Sequence, residues 1–119
     1  MTLFESMQWL SRDIAGFADL DAFAERCRCE AARSGREAAA LVLLARAAAE
    51  FIERHEGMAL PAGAMRAFLA GLHEQARRLG EAGTRGSDAL LIALNDCAAY
   101  LADEAESGAA FRLLAQPRT

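Results

Sequence analysis

Lysine is absent from this chain: all 13 basic residues are arginine, which together with 29 alanines is most simply read as the coding bias expected of a GC-rich bacterial or phage genome, not as a function. β-Branched residues are scarce as well. One valine, three isoleucines and three threonines are too few for a sheet of ordinary length, so the chain is expected to be all-α. Positive charge is in deficit, with 17 acidic residues, a formal charge of −4 and a pI near 5.2. A general nucleic-acid binder needs a basic face to neutralise phosphates, so this balance points instead to solubility or to a basic protein partner. No apolar run reaches the roughly 20 residues that span a bilayer, and Arg46 interrupts the longest one, so no membrane span is expected. Cysteine is limited to Cys27, Cys29 and Cys97, an odd number. The start, MTLFESMQWLSRD, has neither the basic region nor the apolar core of a signal peptide, so the thiols are read as reduced and the protein as cytoplasmic.

What is present is a helical pattern over 119 residues, a length that makes one domain and buries roughly two-thirds of its unfolded surface without cofactor, metal or disulfide. Residues 38–49, AAALVLLARAAA, carry one polar side chain, Arg46, and a helix apolar on all sides belongs inside something. Thr2 with Glu5 forms a capping box, after which Leu3, Met7, Leu10, Ile14 and Phe17 recur at helical spacing; this predicts a helix over 3–16. Asp19 or Asp21 is expected to cap the next, over 20–33.

A single stripe from Phe23 through Cys27, Ala31, Ser34, Ala38, Leu41, Ala45, Ala48 and Ile52 to His55 crosses Ser34-Gly35 without a slip, which favours a kinked or continuous helix. Ser34 with Glu37 is a second capping box, which would start a fresh helix over 35–56. Gly57 ends that segment. Pro61 suits the first turn of a helix over 61–79, buried through Met65, Phe68, Leu69, Leu72, Ala76 and Leu79, and closed by Gly80. Residues 80–86 read as a glycine-rich flexible connection. Ser87 is a good N-cap for a helix over 88–106; Ser107-Gly108 stops it, a short turn over 109–114 follows, and 115–119 are expected to fray. The expectation is one antiparallel four- to five-helix bundle over 1–119.

The sharpest chemical pattern is Arg66, His73 and Arg77, spaced by seven and four residues on one helical stripe with Ala70 between them. Arg66 with His73 resembles the Arg-x(4-6)-His signature of HEPN-type ribonucleases, helical bundles of about this size. The resemblance spans eight residues, and Ala67 stands where that family commonly has a polar residue. It would imply a histidine general base acting on a ribose hydroxyl while the arginine holds the phosphate. The plainer expectation pairs Arg66 and Arg77 with the acidic stripe Asp88, Asp96, Asp103 and Glu106, or leaves them in solvent.

Neither His55 nor His73 has a carboxylate or cysteine three or four residues away, and Cys27-Arg28-Cys29 splays its thiols about 200° apart on a helix. No metal site, cofactor or CxxC redox pair is therefore expected. Arg26, Glu30, Arg33 and Glu37 form a self-pairing charged edge, and Arg46, Glu50 and Arg54 repeat the pattern. Trp9 and Leu43 fall off the core stripes and are expected to point outward, the Trp9 ring either lying over the bundle edge in a cation–π contact with Arg12 or marking an interface. With Phe4 and Arg46 they nominate a contact surface, since aromatic residues concentrate at interface centres. The functional expectation is a non-catalytic protein-interaction module (a regulator, adaptor, inhibitor or chaperone-like protein), forming a homodimer and steering toward a basic partner through its acidic last helix. The alternative is a nucleotide- or RNA-acting bundle using Arg66, His73 and Arg77.

Overall fold

The computed structural model describes residues 2–12, 14–61 and 63–115; for Phe4, Met7 and 104–115 only the backbone is described. Five helices follow in order, α1 (Leu3–Arg12), α2 (Phe17–Ala31), α3 (Ala38–His55), α4 (Ala64–Arg85) and α5 (Ser87–Ala115), with no strand among the described residues. The chain is an all-α helical bundle. α2 and α3 form one antiparallel hairpin and α4 and α5 a second, and α1 lies along α4. α3 is the inner helix, in contact with α2, α4 and α5. Its side chains Ala40, Leu41, Leu44, Ala45, Ala47, Ala48 and Phe51 are all buried, a wide arc that small alanines let neighbouring backbones approach closely.

The core joins both hairpins through Leu20, Phe23, Cys27, Leu41, Leu44, Leu72, Leu79 and Cys97. At one end Phe51 stacks on Phe68 with ring centres 4.0 Å apart and meets Phe17 edge-on at 6.1 Å. The ring of His55 lies against Phe51, and its Nδ1 sits 2.9 Å from the Phe51 carbonyl.

The sequence signals succeed where they are local hydrogen bonds. The Thr2 hydroxyl accepts the Glu5 N–H at 3.1 Å, as half of the expected capping box. They fail where packing decides. α1 ends at Arg12, short of 16, and Gly16 in extended backbone leads into α2 three residues earlier than expected; Asp19 accepts the Ala15 N–H at 2.9 Å and anchors that entry. The continuous helix across Ser34-Gly35 is not formed. The N–H groups of Arg33 and Ser34 both turn back to the Glu30 carbonyl, and the chain reverses over 32–37. A single helix over 20–56 would run about 55 Å and leave much of its apolar stripe without a neighbour. Folding back lets both halves face the same core, so an unbroken register is compatible with a reversal. Glu37 does not cap α3 through its side chain; its carboxylate accepts the Leu3 N–H at 3.1 Å and places negative charge at the N-terminus of α1.

α4 starts at Ala64, after a turn in which the Pro61 carbonyl accepts the Ala64 N–H and Gly63 adopts a left-handed φ of 82°. Pro61 is therefore outside the helix. The expected flexible connection over 80–86 is corrected as well: α4 continues through Gly80 and Gly83 to Arg85, and Gly86 alone links it to α5. Burial of Leu79 and Ala82 on either side of Gly80 offsets the weak helix propensity of the glycines. α5 likewise continues through Ser107-Gly108 to Ala115, and residues 116–119 lie outside the described part.

Candidate functional site

Four side chains were nominated as a contact surface, and the structure redistributes them. Trp9 is half-buried, its ring meeting Phe23 edge-on with centres 5.7 Å apart, so α1 uses it to close on α2. Leu43 also packs against the core. Both expectations of outward orientation are corrected, and the observation that nominated the two residues goes with them. On α3 the residue sharing the face of Arg46 is the one four positions earlier, Val42, which is 50 % exposed. Arg46 is exposed and paired with Glu50 at 2.9 Å. The side chain of Phe4 lies outside the described residues.

Arg66, His73 and Arg77 do not form one unit. Arg66 and His73 line a groove of about 530 Å³ between α1 and α4, whose apolar walls include Leu10, Ile14, Met65 and Leu69. Arg77 lines a different groove, about 480 Å³, between α4 and α5. Its guanidinium is held by Glu74 at 2.7 Å and Glu81 at 2.8 Å. Arg78 also reaches Glu74, at 3.1 Å. Hydrogen bonds from Arg77 and then Arg78 hold the Glu74 carboxyl at about 2, well below the usual carboxylate range. The expected pairing of Arg66 and Arg77 with Asp88, Asp96 and Asp103 is not made, and for Arg77 the reason is that α4 supplies its own carboxylates one turn away; the side chain of Glu106 lies outside the described residues. The side chains of Arg66, His73, Asp96 and Asp103 make no hydrogen bond or ion pair among the described residues.

The expected charged edges pair in part, through Arg26 and Glu30 at 3.1 Å and Arg46 and Glu50 at 2.9 Å, whereas Glu37 turns to the Leu3 N–H; Arg28 and Glu25 add a pair at 2.7 Å that was not expected. Exposed pairs of this kind contribute little to stability, because solvent screens them. Cys27 and Cys97 are buried and reduced. Burial pushes the Cys27 thiol up to about 12 and raises that of Cys97; only Cys29 is exposed. No group of three or more His, Cys, Asp or Glu that could hold a metal ion occurs among the described residues. No helix among them is long and apolar enough to cross a membrane.

The surface that the sequence reading missed is on α5. Leu90, Leu94, Cys97 and Leu101 face inward, whereas Leu91 and Ile92, at 58 and 63 % exposure, are the most open large apolar side chains described. Ala98, Ala99 and Ala102 are exposed beside them, with Asp88 and Asn95 among them and Asp96 and Asp103 along the Ile92 edge. No basic residue occurs between Ser87 and Asp103. The signal was present in the sequence, since Leu90-Leu91-Ile92 puts apolar groups on opposite sides of a helix and only one side can face the bundle. No family model, curated protein or solved structure matches this chain.

Proposed function

We propose that this protein is a non-catalytic protein-interaction module whose contact surface is the outer face of α5. The observation that carries the reading is the pairing of two large, open apolar side chains, Leu91 and Ile92, with an arc of exposed alanines on a helix that packs mainly against α4 and α3. Apolar side chains clustered on an outer helix face mark a protein contact more often than scattered ones do. Asp88 within this arc and Asp96 and Asp103 along its edge favour a partner that presents basic groups around an apolar centre.

The test is affinity capture from the native host with wild-type protein and with the double variant Leu91→Glu, Ile92→Glu, both confirmed as helical by circular dichroism. A partner retained by wild type, released by added salt and lost with the double variant supports the reading. Identical capture by both proteins overturns it.

A further inference from the structure

The surface that α5 requires, basic groups beside an apolar hollow, is present on this chain. Resting on the reading of α5 as an interface, we infer that its partner is a second copy: the ridge Ile92, Asp96, Ala99, Asp103 of one copy seats in the α1/α4 groove of the other, Asp103 against Arg66 and Asp96 against His73.

Spacing is the first argument. Asp96 and Asp103 are separated by seven residues, as are Arg66 and His73, so each pair lies two turns apart, about 10.5 Å, on one side of its helix. Small residues sit between them on both ridges, Ala99 and Ala70, which lets two helices approach closely. When the helices run antiparallel, both charged contacts form at once and Ala99 meets Ala70.

Satisfaction is the second argument. These four charged or polar side chains are unpaired among the described residues, although Asp96 lines one groove with Arg77 and Arg78. Arg77 is already engaged by Glu74 and Glu81 and is not available to them. The groove meanwhile has apolar walls in Leu10, Ile14, Met65 and Leu69 that match the apolar members of the ridge.

Closure is the third. Gly86 is the whole link between α4 and α5, so the two are antiparallel with Arg85 beside Ser87, and Gly71 lies against the Tyr100 hydroxyl. This register sets Arg66 and His73 within about one helical turn of the levels of Asp103 and Asp96. α4 packs against both α1 and α5. A twofold axis parallel to them therefore brings each copy's α5 over the other's α1/α4 groove without sliding the copies along the axis. The contact is made twice and closes as a dimer instead of growing into a filament.

Sedimentation equilibrium on wild type, Arg66→Glu, Asp103→Arg and the combined variant tests this, with circular dichroism confirming that each is helical. Wild type is expected at twice the chain mass of 12.8 kDa, with each single variant weakening association tenfold or more and the combined variant recovering most of the loss. A monomeric wild type, a dimer indifferent to Arg66→Glu, or a combined variant no better than the worse single one overturns the second copy as partner. A wild type that is monomeric yet captures another protein through Leu91 and Ile92 overturns this inference and keeps α5 as an interface; capture indifferent to those residues overturns both.

Discussion

Alanine at each of three glycines in one short stretch should give effects of opposite sign. In Gly80-Glu81-Ala82-Gly83-Thr84-Arg85-Gly86, the first two glycines are inside α4 and the third is the link to α5. A Cβ at Gly83 meets nothing within 4 Å, and one at Gly80 comes to 3.9 Å from the Leu3 Cβ, an ordinary contact. Each Gly→Ala change there should gain the helix-propensity difference, about 0.8–1 kcal/mol. For a chain of this length that raises Tm by roughly 3–4 °C per substitution. Gly86 has φ 128° and ψ 175°, a region essentially closed to L side chains, so Gly86→Ala should lose about 1–3 kcal/mol and lower Tm by roughly 4–12 °C. Thermal and urea unfolding of the three variants reads these shifts directly. A flexible connection over 80–86 would make Gly80→Ala and Gly83→Ala neutral or destabilising. That result, or a harmless Gly86→Ala, would refute the continuous α4 and its one-residue link.

Two further outcomes follow from burial and pairing. In the native protein one thiol, Cys29, should react with a chromogenic disulfide at neutral pH, and denaturant should release Cys27 and Cys97, whose thiols burial pushes upward; three fast-reacting native thiols would contradict the buried placement. Glu74 is depressed in the folded chain, so its contribution to stability is present above the ordinary carboxylate range and is lost as pH falls from about 4.5 toward about 2. Glu74→Gln should remove that portion of the acid dependence of Tm, and high salt should shrink it in wild type because the pair is exposed; unchanged acid profiles would argue against the Arg77 and Arg78 contacts.

Periodicity revealed the fold class and the core stripes because burial imposes them on composition: Leu41, Ala45 and Ala48 are buried, as their spacing required. Chain reversals were less legible. Ser34-Gly35 and Gly80 carry similar local signals, yet the chain turns at the first and runs straight through the second, and the difference lies in what the flanking segments pack against. The site suffered from the same non-locality. Arg77 belongs to the stripe of Arg66 and His73 by spacing, but Glu74 and Glu81 capture it within one turn. Trp9 left the core stripe of α1 by helical arithmetic, but α2 brings Phe23 under it. An apolar residue off the stripe of its own helix is an interface candidate only after the neighbouring helices have been placed.

That criterion separates the two most alanine-rich helices. α3 is apolar nearly all round and has neighbours α2, α4 and α5 to account for it. α5 packs mainly against α4 and α3, and Leu91 and Ile92 on its outer side are more than half exposed. Leu91→Glu with Ile92→Glu should therefore leave folding within about 0.5 kcal/mol per site, as for other open helix positions, with a Tm change of at most roughly 4 °C measured at concentrations where the chain is dissociated. At associating concentrations wild type alone should gain stability, because a partner that binds only the folded chain adds its binding free energy to the fold. A large loss in the dissociated variant would mean that Leu91 and Ile92 are held within the chain, and the interface would have to be sought elsewhere.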